Sequence, residues 1–171
     1  MKARRLPSKR KRNFWPRSKD NPLPKRSLKR KERWMEIRDF RPDDVDALVN
    51  ILKANQQYGH PEIDGPEAML QVNQCDAAEF LVAEEDGLVI GMVRGTYDGS
   101  RAVIYLASVH PHYQRRGVGR ALVQEIARRF QARGAGSISV IVPGDAAFWK
   151  KLGFRQTTRV MHAYPIEQVL S

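Results

Sequence analysis

Residues 102–130 read AVIYLASVHPHYQRRGVGRALVQEIARRF, and this stretch decides the fold. Its first part, residues 103–109, is apolar and rich in β-branched side chains, which predicts a buried strand. From residue 118 to residue 130, apolar side chains return every four positions, which predicts a helix packed on a core. The stretch therefore predicts a strand that passes through a proline-containing bend into an amphipathic helix.

Between this strand and this helix lies the turn QRRGVG, residues 114–119. Glycines at a helix start let backbone N–H groups approach a ligand closely, and the helix dipole favours an anion there. The turn lacks the third glycine of a dinucleotide fingerprint and the Gly-Lys-Ser/Thr of a P-loop. It predicts a phosphate-binding turn, although glycines also occur at such junctions for geometric reasons alone.

Two motifs resemble those of the GNAT superfamily of N-acetyltransferases. Residues 109–123 read VHPHYQRRGVGRALV. In that family a strand ends in a Val-x-Pro bend, and the following Gln/Arg-x-x-Gly-x-Gly/Ala turn holds the pyrophosphate of acetyl-CoA. Residues 146–154, AAFWKKLGF, resemble the family's late helix-turn, usually written A-x-x-Phe-Tyr-x-Lys-x-Gly-Phe. Within the superfamily, residues 35–44 and 80–101 are similar to the bacterial YpeA-like acetyltransferases.

From residue 35 onward the chain predicts the order β-α-α-β-β-β-α-β-α-β. Asp43 and Asp44 are expected to open the first helix, and Asp86-Gly87 is expected to form a hairpin turn. The predicted strands are 36–40, 80–83, 88–97, 103–109, 137–142 and 154–163, and the predicted helices are 43–55, 66–74, 118–130 and 145–152. This order indicates a mixed α/β domain. It is also the GNAT order, so the resemblance implies a mostly antiparallel twisted sheet flanked by helices.

The resemblance implies a cofactor site for acetyl-CoA. In the family, one strand splays from its neighbour, and its backbone pairs with the pantetheine arm and holds the acetyl carbonyl. The corresponding strand positions here are Ala107, Ser108 and Val109, and the pyrophosphate turn corresponds to Arg115, Arg116, Gly117, Val118, Gly119 and Arg120. Phosphate binding at this turn depends on close approach to backbone N–H groups. Because a side chain at position 119 would obstruct that approach, Gly119→Val is expected to weaken cofactor binding. Arg116 and Arg120 are expected either to touch the nucleotide phosphates or to be solvated charges.

The resemblance also implies direct transfer, in which a neutral amine attacks the thioester carbonyl held beside it. A base must take the amine's proton, and an acid should protonate the departing thiolate. The position that often carries an acidic Tyr is Trp149, whose indole N–H donates a hydrogen bond but is no practical acid. Val142 replaces the Asn that often begins this motif, and Val103 and Ser137 stand where some relatives carry a Glu. The acid and the base are therefore left unassigned.

Local candidates lie near the expected cleft. By two-residue alternation, Tyr105 shares a strand face with Ala107 and Val109 and points into the cleft, unless it is a half-buried core aromatic. The segment between the first two helices, which borders the acceptor site in relatives, carries Tyr58, His60, Glu62 and Asp64. This segment could equally be an ordinary polar loop. His110 is expected to serve the bend, and the base could also act through water.

Charge divides the chain at residue 34. Of the formal net charge of +11, residues 1–34 contribute +13 from 15 Lys/Arg and two acidic residues, and residues 35–171 contribute −2. The first segment has four prolines and few aliphatic residues, which predicts a disordered basic tail ahead of an acetyltransferase domain at 35–171. Its runs KRKR and KRSLKRK fit a nucleic-acid contact, a nuclear-import patch or a solvated tail. The segment could also be a transit peptide, or Met35 could be the true start of the protein.

The composition of the chain bears on the cellular compartment in which the protein is expected. Residues 1–34 have no apolar run of about 7–15 residues for a secretory signal, and nothing after them approaches the roughly 20 apolar residues of a membrane helix. The single cysteine, Cys75, cannot form an internal disulfide, which suits a reducing cytosol, so we expect a cytoplasmic protein without membrane contact. The four histidines show no zinc-type spacing, so no metal site is expected.

Two functions follow as hypotheses. The first is an acetyl-CoA-dependent N-acetyltransferase acting on a primary amine, which could belong to a small molecule, a protein N-terminus or a lysine. Because the acidic Tyr is missing at position 149, the second is a non-catalytic acyl-CoA-binding module. The basic tail would tether such a module to nucleic acid or to ribosomes.

Overall fold

The computed structural model describes residues 35–142, 146–157 and 166–169. Its strands are β1 (Met35–Asp39), β2 (Ala78–Glu85), β3 (Leu88–Tyr97), β4 (Ala102–Val109) and β5 (Ile138–Val140). Its α-helices are α1 (Val45–Ala54), α2 (Pro61–Asp64), α3 (Pro66–Asn73), α4 (Val118–Ala132) and α5 (Ala147–Lys151). Short 3-10 turns cover Pro42–Asp44, Pro111–Tyr113 and Ile166–Val169.

The five strands form one sheet in the order β1-β2-β3-β4-β5. β1 to β4 pair antiparallel with their neighbours, whereas β5 pairs parallel with β4. The connection from β2 to β3 is the predicted tight hairpin, in which Asp86 has φ 52° and Gly87 has φ 81°. Two left-handed residues in a row are typical of a hairpin turn that matches strand twist. The predicted mixed α/β class, with a mostly antiparallel sheet flanked by helices, is confirmed.

Helices cover both faces of the sheet. On one face, the buried side of α4 packs against β2, β3 and β4, with Leu122, Ile126 and Phe130 at most 1% exposed. On the opposite face, α1 and α3 pack against Val82 and Met92. The periodic apolar positions of α4 are therefore the residues that bury it. None of the helices in the described ranges combines the length and the apolarity that a membrane crossing requires.

Several element boundaries differ from the sequence prediction. Asp43 and Asp44 lie in a 3-10 turn, and α1 begins at Val45, because the Asp44 carboxylate accepts a hydrogen bond from the Arg41 backbone N–H at 2.7 Å. The helix α2 was not predicted at all. It begins at Pro61, a residue whose fixed φ suits a first helical turn.

The strand predicted over residues 154–163 is wrong where the structure describes it, because residues 154–157 form no strand. The Phe154 N–H instead donates to the Trp149 carbonyl at 3.1 Å, and Gly153 has φ 98°, so this stretch closes the end of α5. Residues 158–163 lie outside the described ranges. The predicted strand 137–142 shortens to β5, and the predicted helix 145–152 shortens to α5, with Asp145 outside the described residues.

The strand β4 contains an irregularity near its middle. Its register with β3 shifts so that Arg94 lies opposite Leu106 and Gly95 opposite Ile104, which leaves Tyr105 as an extra residue. Such a bulge re-aims side chains and breaks simple alternation. Ile104, Ala107 and Val109 all pack toward α4, so strict two-residue alternation does not hold across the bulge, and Tyr105 is 50% exposed.

Candidate functional site

The first component of the site is the free edge of β4. Among the described residues, β5 pairs with β4 only over positions 102–104. The His110 N–H donates to the Ile90 carbonyl at 2.9 Å, which fixes the hydrogen-bonded positions of the ladder with β3. Because such positions alternate along an antiparallel pair, the N–H and C=O groups of Ala107 and Val109 point away from β3. This edge presents backbone donors and acceptors to an extended ligand.

The second component is the turn of residues 114–119, which leads from β4 into α4. Arg115 has φ 62° and Gly117 has φ 89°, so two left-handed residues lie close together in the turn. Backbone N–H groups in turns of this kind can form an anion-binding concavity. The 15-residue helix α4 begins immediately afterward at Val118 and adds its positive dipole end. The backbone conformation therefore suits a phosphate ligand.

The arginines of this turn have different surroundings. The Arg116 guanidinium lies 4.9 Å from the centre of the Tyr113 ring, and its Nη1 lies 3.7 Å from Glu85 Oε2. Arg115 and Arg120 are exposed. All three arginines are exposed, and Arg116 also has partners within the protein.

Gly119 lies where the turn, α5 and the end of β4 approach one another. A Cβ atom at this position would meet Phe148 Cζ at 3.2 Å and Val109 Cγ2 at 3.6 Å. The larger side chain of a valine would therefore crowd both neighbours. Val118, the residue between the two glycines, is 3% exposed and belongs to the core beside α4.

A cleft of about 220 Å³ opens beside the free edge of β4. It is lined by Asn55, Gln57, Ala107, Ser108, Val109 and Gln114. The polar side chains in this lining are neutral amides and one hydroxyl. A larger groove of about 470 Å³ lies between α4 and the segment before β5, and none of the predicted site residues lines it.

Hydrogen bonds join the polar side chains of this cleft. Ser108, which is 4% exposed, accepts from Asn55 Nδ2 at 2.8 Å and donates to Gln57 Oε1 at 2.7 Å. Asn55 Nδ2 and Gln114 Nε2 both donate to the Val109 carbonyl, at 2.9 and 3.0 Å. Gln114 Nε2 also donates to Asn55 Oδ1 at 3.0 Å. We call these four side chains the amide relay: Asn55, Gln57, Ser108 and Gln114.

Sequence reasoning missed Asn55 and Gln57. Their only local signal is the amide run Asn55-Gln56-Gln57 after α1, which by itself is typical of a polar loop. Asn55 and Ser108 are 53 positions apart, so only the packing of α1 on the sheet brings them together. Ser108 itself was predicted for its backbone, and the structure buries its side chain toward α1.

Trp149 lies on α5, at the position where the resemblance led us to look for an acidic Tyr. Its ring is partly buried against the cluster beside α4. It makes edge-on contacts with Phe148 and Phe154, with ring centres 5.1 and 5.3 Å away. The indole is therefore held as a packing residue of α5.

Three of the acceptor-side candidates after α1, namely Tyr58, His60 and Glu62, have local partners. Tyr58 packs against the cluster under α1, and Lys53 Nζ lies 5.2 Å from its ring centre. His60 Nδ1 lies 3.2 Å from Glu62 Oε1, and both side chains are 54% exposed. The exposed His60-Glu62 pair is accessible to a ligand, whereas Tyr58 is partly buried.

Asp64 forms an ion pair with Arg94, which extends from β3 beneath α2. Arg94 is 7% exposed, and it also donates to the Ile63 carbonyl at 3.2 Å. Burial raises the pKa of the Asp64 carboxyl, although the positive charge of Arg94 opposes this shift. Burial likewise lowers the pKa of Arg94 against the opposing effect of Asp64. The pair holds α2 on the sheet, at the border of the expected acceptor side.

The other candidates lie along β4 and the bend after it. Tyr105 projects from the bulge at the point where β5 stops pairing with β4. His110 Nδ1 accepts from the His112 N–H at 3.3 Å, and its ring lies edge-on to His112 and Tyr113. The contacts of His110 thus belong to the bend.

The described residues contain no group of three His, Cys, Asp or Glu side chains that could hold a metal ion. The thiol of Cys75 is free and exposed.

Comparison with known sequences identifies related proteins. The family model of the acetyltransferase (GNAT) family matches residues 45–154. Acetyltransferase SG1711 from Sodalis glossinidius is 33% identical over 134 residues, which cover 74% of this chain and 92% of that protein.

Solved structures share the fold. A transcriptional regulator from Bacillus halodurans superposes with a TM-score of 0.66 at 21% identity, covering 77% of this chain and 99% of that one. The aminoglycoside N-acetyltransferase AAC(6')-Iy in complex with CoA gives a TM-score of 0.66 at 19% identity, covering 81% of this chain and 99% of that one. At these identities the likeness shows a common architecture.

Proposed function

This chain belongs to the acetyltransferase (GNAT) family, and we propose that it is an N-acetyltransferase that transfers an acetyl group from acetyl-CoA to a primary amine by direct attack on the thioester. The observation that carries the proposal is the free edge of β4 beside the turn of residues 114–119. An extended pantetheine arm would pair with the backbone of Ala107 and Val109. The pyrophosphate would lie on the turn at the start of α4. The CoA in the solved structure of AAC(6')-Iy supports the choice of cofactor.

The chemistry consists of one transfer. The amine nitrogen forms a bond to the acetyl carbon, the carbon–sulfur bond breaks, and the proton lost by the amine balances the proton gained by the thiolate. Holding the amine and the thioester together supplies much of the rate enhancement. The Ala107 N–H lies on the free edge, where it would donate to the acetyl oxygen.

Proton transfer in this proposal runs through water. The amide relay lines the cleft beside Val109 with neutral groups, so it offers no carboxylate to act as a base. The His60-Glu62 pair lies on the exposed segment after α1, where it could receive a proton relayed by water. A substrate amine that is already neutral before attack would need only this water-mediated removal of its proton during the transfer.

Amine-stimulated release of CoA thiol tests the proposal. The full chain is incubated with acetyl-CoA and a panel of small primary amines, peptides with free N-termini and lysine peptides. We expect at least one class to stimulate thiol release and to yield an acetylated product by mass spectrometry. A folded protein that binds acetyl-CoA without stimulated release from any class would contradict the proposal.

That outcome would support the second candidate, a non-catalytic acyl-CoA-binding module. The observation that favours this candidate is Trp149, which packs against Phe148 and Phe154 where relatives often carry an acidic Tyr.

In both candidates we propose that residues 1–34, with their net charge of +13, contact a polyanion such as nucleic acid or the ribosome.

A further inference from the structure

The Val109 carbonyl is the central acceptor of the amide relay. Asn55 Nδ2 donates to it at 2.9 Å, and Gln114 Nε2 donates to it at 3.0 Å. A backbone carbonyl oxygen has two lone pairs, so these two amides satisfy it. The same carbonyl points away from β3, toward the free edge where the pantetheine arm would pair. The side chains and the cofactor therefore require the same oxygen.

The relay continues from this carbonyl to the acceptor side. The Asn55 amide that donates to Val109 also donates to Ser108 Oγ at 2.8 Å. Ser108 in turn donates to Gln57 Oε1 at 2.7 Å. At the other end, Gln114 opens the turn at the start of α4. One chain of hydrogen bonds thus joins the phosphate-binding turn to the segment after α1.

We propose that the amide relay is a cofactor-operated switch, in which an amide N–H of the pantetheine arm displaces a side-chain amide from the Val109 carbonyl. The displaced Asn55 or Gln114 loses one partner, and the bond from Ser108 to Gln57 rearranges with it. Occupancy of the cofactor site thereby repositions Gln57, a positioning residue on the acceptor side. The inference rests on the proposed function, because it requires CoA to bind along β4.

This exchange has a definite consequence for affinity. Displacement breaks one hydrogen bond to Val109 for each one formed, so the side chains oppose cofactor binding. Truncating either amide leaves a lone pair free for the pantetheine N–H. Gln114→Ala and Asn55→Ala are therefore expected to tighten CoA binding by about two- to tenfold, the range that a net hydrogen bond supplies.

Titration calorimetry with two ligands isolates this effect. CoA carries the pantetheine arm, whereas adenosine 3′,5′-bisphosphate lacks that arm and also one of the two pyrophosphate phosphates. We expect both variants to tighten the binding of CoA and to leave the binding of the bisphosphate unchanged. Gln71→Ala, which truncates an exposed glutamine on α3, is the matched control and should change neither affinity.

Hydrogen exchange reports the acceptor-side arm of the switch. The Gln57 backbone N–H donates to the Leu52 carbonyl at 2.8 Å, so its exchange rate reports on the position of this residue. Saturating CoA should change that rate in the wild type. Ser108→Ala interrupts the link to Gln57, so the change should disappear in that variant at CoA saturation.

Two results would overturn the switch. One is CoA binding that is unchanged or weaker in both Gln114→Ala and Asn55→Ala, since the amides would then support the site and not compete for it. The other is the same exchange response of Gln57 in Ser108→Ala as in the wild type. A wild-type protein that binds no CoA would instead overturn the proposed function.

Discussion

At the scale of single residues, the two glycines of the turn meet different demands. Gly117 has φ 89°, a conformation that costs an L-residue about 1–2 kcal/mol. We expect Gly117→Ala to weaken CoA binding by about tenfold, the ratio that 1.4 kcal/mol produces. Titration calorimetry of the full chain with CoA measures this loss.

Gly119→Ala is the matched control. Its new Cβ would meet Phe148 Cζ at 3.2 Å, but that ring is 41% exposed and can turn aside. We expect Gly119→Ala to weaken CoA binding less than Gly117→Ala does. A larger loss from Gly119→Ala would show that close packing against Phe148, and not the left-handed backbone, governs the turn.

Trp149 permits a second prediction at the residue scale. A general acid contributes about 10²–10⁴ to a rate, so removal of a true acid would be conspicuous. Because the indole packs against Phe148 and Phe154, we expect Trp149→Phe to keep kcat within about threefold of the wild type. It should lower the free energy of unfolding by about 0.5–3 kcal/mol. A hundredfold fall in kcat in a folded variant would assign proton donation to Trp149.

At the scale of elements, the connection from β1 to α1 depends on the carboxylate of Asp44. This group is buried, and it forms hydrogen bonds with Arg38 at 2.8 Å and with the Arg41 backbone N–H at 2.7 Å. Burial raises the pKa of Asp44, but these hydrogen bonds outweigh it and hold the pKa below its ordinary 3.8. A group with a lowered folded-state pKa stabilises the fold above its unfolded pKa, and this contribution is lost as pH falls through the folded value.

The Asp44→Asn variant tests this connection. Near neutral pH we expect it to lower the free energy of unfolding by about 1–3 kcal/mol, because hydrogen bonds to a charged group are lost. The difference from the wild type should shrink as pH falls below 3.8, where the wild-type carboxylate becomes protonated. Urea unfolding at a series of pH values measures it. A difference that stays constant down to the acid limit would show that the charge of Asp44 contributes nothing.

Elements with strong local periodicity could be predicted from the sequence, and irregular ones could not. The bounds of β3 match the prediction, and α4 begins at the predicted Val118. Both could be predicted because strand alternation and helical spacing are patterns among residues close together in the sequence. The bulge at Tyr105 has no such signature, since it arises from how β3 and β4 pair. The alternation from which the face of Tyr105 was predicted does not hold across this bulge.

At the scale of the whole molecule, the site depends on contacts that span much of the chain. The turn could be recognised because its glycines and arginines are contiguous. The amide relay could not, because Asn55 and Gln114 are 59 positions apart and meet only when α1 packs beside the end of β4. The turn of residues 114–119 was therefore recognisable as a sequence motif, whereas the lining of the cleft required the three-dimensional structure.

The uneven charge of the whole chain leads to the last prediction. Residues 1–34 carry +13 and residues 35–171 carry −2, so any attraction to a polyanion should reside in the first segment. We expect the full chain to bind duplex DNA or RNA with an affinity that falls steeply with salt, by about 0.9 in log K per log salt for each duplex DNA phosphate neutralised. Replacing the run KRKR at positions 9–12 with four glutamines should reduce that slope while CoA binding is kept. Fluorescence anisotropy across a salt series measures the slope. A slope unchanged by this replacement and by deletion of residues 1–34 would place the nucleic-acid contact on the domain itself.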